Sequence, residues 1–303
     1  MKKHQIHQTR SPRMMKSLIL FAALCATMVL AQDSVQITKI DQLPVQPKLA
    51  VRKGAPKPKN TIGAHIIGGT NATQGTIPYQ ALIYMDNSYI CGGSLLTTSW
   101  ILTAAHCVSG HVNFTVCLGT WDRNNAGAEA GSKCYVSLSS IAHESFNPTT
   151  LKNDIGLVKL PSAAVLSTKI ALTRLPRRSD ATKLYDGVLA TASGWGRTSN
   201  STSSASRFLL TVKMTVITNT ECNNTFTITA SNVCTSGAGT KSVCNGDSGG
   251  PLTVVDTDGL PTQIGLVSFG SSVSCMIGYP QAYTRLTSYL DWLVTKTGVT
   301  LRA

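Results

Sequence analysis

The chain has 303 residues, long enough for one large domain or two smaller ones with a real hydrophobic core. Its 27 Lys and Arg outnumber 14 Asp and Glu, a net charge of +13 that would suit an anionic partner if it were gathered on one face. It is not: residues 1–65 hold eleven basic residues against Asp33 and Asp41, while the rest holds sixteen against twelve acids, scattered singly apart from Arg177-Arg178, which argues against nucleic acid or membrane as a partner.

Residues 1–31 have the layout of a secretory signal. Lys2, Lys3, Arg10, Arg13 and Lys16 precede an apolar run from Leu18 to Leu30, and Val29-Leu30-Ala31 offers a small-residue cleavage site before Gln32. The run is shorter than the ~20 residues a membrane-spanning helix needs. Met14 and Met15 are alternative starts within the basic leader. The expectation is a secreted, extracellular protein. Residues 32–65 are rich in Pro and Lys, poor in large apolar side chains and free of cysteine. Such a segment cannot bury enough surface to offset its ordering entropy, and it reads as a propeptide.

From Ile66 onward, short alternating or β-branched runs are separated by Gly, Asn, Ser and Pro. Examples are Tyr79 to Met85, Phe114 to Leu118, Ile155 to Leu160, Phe208 to Val216 and Ile264 to Phe269. Short strands at this spacing, without helical periods between them, predict an all-β barrel or sandwich over 66–303. One helical pattern is terminal: Leu286, Tyr289, Leu290 and Leu293 share a face, with Ser288 and Asp291 spaced as a capping box. Cys25 falls in the signal, and eight cysteines remain, an even number suited to an oxidising compartment. Eight cysteines allow 105 pairings, and no Cys-x-x-Cys or paired-histidine spacing points to a metal or other cofactor. Asn71, Asn113, Asn200 and Asn223 open Asn-x-Ser/Thr sequons.

The chemistry centres on Gly246-Asp247-Ser248-Gly249-Gly250-Pro251. Glycines around a serine let substrate and backbone amides approach closely, but serine needs a base to take its proton and a third group to orient that base. The stretch fits G-x-S-x-G, yet in a nucleophile elbow the histidine follows the serine, and here the last histidine is His143. Upstream, Thr103-Ala104-Ala105-His106-Cys107 and then Asn153-Asp154-Ile155-Gly156-Leu157 supply histidine and aspartate in the order His, Asp, Ser. Cys107 would tie His106 down beside the apolar Trp100-Ile101-Leu102 run, and Asp154 opens an alternating run as a buried carboxylate would. His111 and His143 read as structural, and Asp122, Asp180 and Asp186 as solvated turn residues.

With Ile66-Ile67-Gly68-Gly69, these four motifs resemble the chymotrypsin-like serine proteases over roughly Ile66 to Thr297, nearest to the chymotrypsin and brachyurin-type enzymes of arthropods. The resemblance implies two six-stranded antiparallel β-barrels with a C-terminal α-helix and an active site between them. It implies Ser248 as nucleophile, His106 as base and then acid, Asp154 as orienter, and the amides of Gly246 and Ser248 as oxyanion hole. It pairs Cys91 with Cys107, Cys222 with Cys234 and Cys244 with Cys275, leaving Cys117 to Cys134, a pair outside the common family pattern. Cleavage before Ile66 would free an ammonium group to pair with Asp247. His65 precedes that bond, not Arg or Lys, so self-activation or a chymotrypsin-like activating protease is expected.

For substrate, the resemblance puts Ser242 at the floor of the primary pocket, Gly270 at an open mouth, Ser268 and Gly270 as backbone partners, and Gln281 on the wall where the family has a smaller residue. With no acid at Ser242, the expectation is a monomeric secreted endopeptidase cutting polypeptides after Phe, Tyr, Leu or Met. The family's calcium loop uses clustered acids, and 117–134 has only Asp122 and Glu129, so no metal is expected. The alternative is an inactive protease homologue that serves as a binding or regulatory partner.

Overall fold

The computed structural model describes residues 66–199 and 204–302. The expected signal and propeptide, and the sequon at Asn200, lie outside the described residues. The first eight strands are β1 (Thr70–Asn71), β2 (Gln80–Met85), β3 (Tyr89–Thr97), β4 (Trp100–Thr103), β5 (Phe114–Leu118), β6 (Lys133–Ser137), β7 (Ser140–Ala142) and β8 (Gly156–Lys159). Six more follow: β9 (Leu189–Gly194), β10 (Leu210–Ile217), β11 (Asn232–Thr235), β12 (Pro251–Val255), β13 (Pro261–Phe269) and β14 (Gln281–Arg285). Helices are short: α1 (Ala105–Val108), α2 (Asn219–Asn223) and α3 (Leu290–Thr297).

The strands form two antiparallel sheets of seven, in the orders β6-β5-β2-β3-β4-β8-β7 and β1-β10-β11-β14-β13-β12-β9. In the second sheet β9 also pairs with β10, closing a six-stranded ring to which the two-residue β1 adds an edge. In the first, β6 and β7 lie at opposite ends of the order and are joined through Leu138-Ser139, so counting them as one bent strand gives six. The Ser137 hydroxyl holds the bend by donating to Lys159 O at 2.6 Å. All-β barrel architecture therefore stands, with each sheet one strand longer than expected.

Each barrel has its own core. The first packs Ile83, Leu95, Ile101, Phe114, Val116 and Val158, and the second Ala192, Val212, Met214, Leu252, Ile264 and Tyr283. Full burial of such a side chain contributes about 1.5–3 kcal/mol. Leu102, Ile155 and Leu157 of the first barrel meet Leu266 of the second and Leu286, Leu290 and Leu293 near the C-terminus in a third cluster. Buried hydrogen bonds fix the register between barrels: Ser193 Oγ donates to Gln80 Oε1 at 2.6 Å, and Gly92 N donates to Ser248 O at 2.8 Å. Four disulfides join Cys91 to Cys107, Cys117 to Cys134, Cys222 to Cys234, and Cys244 to Cys275.

Two expectations need correction. The terminal helix carries the apolar face read from the sequence, but no capping box: a 3₁₀ turn over Leu286–Ser288 delays its start to Leu290, and Tyr289 at the N-cap makes no side-chain cap. Asp291 instead pairs with Arg178. Asp122 is also no solvated turn residue. It is 5% exposed, pairs with Arg207 at 2.8 Å and accepts from Asn124 N at 3.1 Å, which holds its carboxyl below the ordinary range. Glu129, accepting from Trp121 N at 2.8 Å and Asp122 N at 3.1 Å, closes the same loop. Replacing Asp122 by Ala should cost about 1 kcal/mol, because the turn loses its cap at Asn124 N, while the exposed Arg207 guanidinium returns to water. Thermal denaturation would register this as a fall of roughly 2–4 °C. Because the folded carboxyl ionises more readily than the unfolded one, that contribution is present above the unfolded pKa and fades as pH falls through the folded value.

Candidate active site

Strand β4 ends at Thr103, and α1 follows so closely that His106 stands at the strand's mouth, with Cys107 anchored to Cys91 of β3. The His106 backbone N–H donates to Asp154 Oδ1 at 2.9 Å, and ring Nδ1 lies 2.8 Å from Oδ2. A carboxylate at that distance favours the tautomer with its proton on Nδ1, in which Nε2 is the ring's acceptor. Asp154 is 1% exposed and takes a third donor, Ser268 Oγ at 2.6 Å. Three donors on one buried carboxylate satisfy the charge that burial alone would penalise.

The backbone around Asp154 is also held. Asn153 takes a left-handed φ of 56°, which asparagine tolerates better than most residues, and its side chain donates to Ser145 O at 2.8 Å and accepts from Tyr289 OH at 2.9 Å. Thr284 Oγ1 on β14 donates to the Asp154 carbonyl at 2.7 Å. Neither Tyr289 nor Thr284 carried a sequence signal for this role, since each reaches the site only through tertiary packing. His111 pairs with Asp86 at 2.7 Å, and His143 stacks on Trp292 with ring centroids 5.2 Å apart, so both have structural partners.

Ser248 is 5% exposed in the loop between Cys244 and β12. Its carbonyl lies 3.6 Å from Cys107 Sγ, next in sequence to His106. The glycines here are required by space. Gly249 has φ 74°, and a Cβ on it would lie 2.0 Å from Thr103 Oγ1 and 2.7 Å from Gly92 O. Gly246 has φ 98°.

Between them Asp247 is fully buried, accepting from Gly196 N at 2.7 Å and Cys244 N at 2.9 Å. Burial pushes its carboxyl up to about 7 despite those two donors. Side chains at Gly194 or Gly196 would come within 2.3 Å of its oxygens, so Gly194-Trp195-Gly196 is a cradle that the motif search missed. Ile66 is also fully buried, in the cluster of Tyr185, Ala190 and Val243, at φ 24°.

Beside Ser248 opens a cavity walled by Val243, Cys244, Asn245, Val267, Phe269 and Ser271, with Ser268, Gly270, Cys275 and Gln281 completing it. Asn245 is a pocket residue that the sequence reading did not single out. Ser242 is 1% exposed and lies behind the wall, where its hydroxyl donates to Val243 O at 2.6 Å. Gln281, 3% exposed, stands against Gly270. Among the described residues one His/Cys group is close enough to resemble a metal site, Cys91, His106 and Cys107, but its sulfurs are bonded to each other. No described helix is long and apolar enough to cross a membrane.

Comparison with known proteins agrees with this geometry. The family model described as Trypsin matches residues 66–293. Brachyurin of Leptuca pugilator is 39% identical over 236 residues, covering 78% of this chain and all of that protein. Chymotrypsin of Phaedon cochleariae is 36% identical over 283 residues, or 92% and 96% of the two chains. A solved structure of HL collagenase superposes with a TM-score of 0.69 at 35% identity, over 78% of this chain and all of that one. The chain belongs to the trypsin family and is a chymotrypsin-like serine endopeptidase.

Proposed function

We propose that this chain is secreted as a zymogen and, once cut before Ile66, hydrolyses polypeptides by a Ser-His-Asp mechanism on the carboxyl side of large apolar residues. The observation that carries the reading is Asp154 gripping both the backbone and the ring of His106, which leaves Nε2 as the one basic nitrogen. Nε2 takes the Ser248 hydroxyl proton as Oγ attacks the scissile carbonyl. The imidazolium is stabilised through Nδ1–H by Asp154 and then protonates the leaving amine. Water repeats the sequence on the acyl-enzyme, and His106 returns the proton to Ser248. The amides of Gly246 and Ser248 hold the oxyanion, where one donor is worth about 3–4 kcal/mol.

Activation is supported by two observations. Asp247 is buried with two amide partners and no side-chain cation bonded to it among the described residues, and Ile66 is buried at a φ that is costly for a β-branched residue. Cutting the bond to His65 frees the Ile66 torsion and creates an ammonium group for Asp247. The three described sequons differ: Asn71 is exposed on β1, whereas Asn223 is half-buried with its Oδ1 accepting from Ile228 N at 3.2 Å, and Asn113 is half-buried with its Oδ1 shut away from solvent. Asn71 is thus the better glycan site.

The test is labelling by a fluorophosphonate before and after release of residues 1–65. Ser248 should label after release and the Ser248→Ala variant not at all. A released chain that stays unlabelled would instead favour the inactive binding homologue.

A further inference from the structure

Gln281 has both carboxamide protons committed: Nε2 donates to Tyr279 O at 3.1 Å and Pro280 O at 3.0 Å. Reversing the amide would set its oxygen against two carbonyls, so its orientation is fixed. The remaining atom, Oε1, projects across the cavity to Gly270, where a methyl group built on the glycine would lie 2.6 Å from it. The space that glycine leaves open is therefore occupied by the glutamine. Neither wall of the cavity contributes a charged side chain, and Ser242 lies behind it.

We propose that Gln281, not Ser242, is the floor of the P1 pocket: it stops a P1 side chain near the depth of Gly270 and presents one hydrogen-bond acceptor there. The proposal rests on the reading of Ser248 as nucleophile and of its adjoining cavity as the P1 site. Among apolar residues it favours leucine over phenylalanine and tyrosine, because a planar ring entering the slot must displace the carboxamide from both carbonyls. A P1 glutamine or asparagine can donate to Oε1 and is accepted. A P1 glutamate or aspartate meets an acceptor with no cation nearby and is rejected.

The experiment measures kcat/KM on peptides that differ only at P1, as Leu, Phe, Gln or Glu, with released wild type, Gln281→Gly and Gln281→Leu. Fluorophosphonate titration counts active sites, so misfolded protein does not enter the ratios. Wild type should prefer Leu over Phe by about 10-fold, and Gln281→Gly should reverse this by a similar factor. Gln281→Leu should keep the Leu preference but lower cleavage after Gln by about 10-fold relative to Leu. Wild type that cleaves after Phe as well as after Leu, or a ratio unmoved in Gln281→Gly, would overturn the proposal alone. Absence of label in every chain would overturn the nucleophile reading and this proposal with it.

Discussion

Replacing Asp154 by Asn is expected to lower kcat/KM by about 10⁴-fold with little change in fold. The carboxylate accepts at both oxygens, from the His106 backbone, the His106 ring and Ser268. Asparagine offers one acceptor and one NH₂, so at least one of these contacts becomes donor against donor. If the amide keeps its oxygen on the His106 backbone, its NH₂ faces Nδ1. The ring must then expose a bare Nδ1 and carry its proton on Nε2, where it cannot accept from serine. The measurement is kcat/KM against pH beside the melting temperature. An equal fall in both would mean that Asp154 only holds the fold. Ser268→Ala removes one of three donors and should cost far less, while leaving the ring tautomer in place.

The second large effect concerns Asp247 before and after cleavage. Its folded carboxyl keeps its proton up to about 7, against an ordinary 3.8. The folded, uncleaved chain therefore binds more protons than the unfolded chain between those values. The group's contribution to stability is fully present below about pH 4 and declines as pH rises toward 7. At 1.36 kcal/mol per pKa unit, that is about 4 kcal/mol by order of magnitude. The expected result is an uncleaved chain that melts or opens around 244–250 more readily at pH 8 than at pH 5. Release of the Ile66 ammonium supplies a counter-charge and should remove much of this difference. Paired melting curves at both pH values, before and after cleavage, decide it.

On the activation proposed above, the same pair would set the upper limb of the activity profile. Activity should fall when the Ile66 amine deprotonates, at a pKa that the proposed pairing with Asp247 would raise above the ~7.7–8.0 of a free terminus. Asp247→Ala in the cleaved chain should lose at least about 10²–10³ in kcat, since the loop carrying the Gly246 amide loses its anchor. An unimpaired Asp247→Ala variant would contradict the activation reading.

How far the chain could be read without coordinates depended on the range over which each constraint acts. Strands such as Phe114–Leu118 were visible because the pleat alternates side chains residue by residue. The serine, histidine and aspartate segments were visible because each must satisfy a local requirement. A left-handed glycine stands on either side of Asp247-Ser248, a cysteine beside His106, and an asparagine able to adopt φ 56° before Asp154. The capping box failed because helix entry is set by where Tyr289 must pack, and a 3₁₀ turn brings it there.

Taken alone, the sequence determined the all-β class of fold, which rests on the short-range alternation of its strands, and its resemblance to a known family supplied the candidate residues for acyl transfer and their order. Only the tertiary structure decided that Ser268 and Thr284 brace Asp154, that Gly194 and Gly196 leave room for Asp247, and that Gln281 rather than Ser242 faces the pocket. Those contacts join residues up to 130 positions apart. No local pattern encodes them, because they exist only where two separately packed barrels bring their strand ends together.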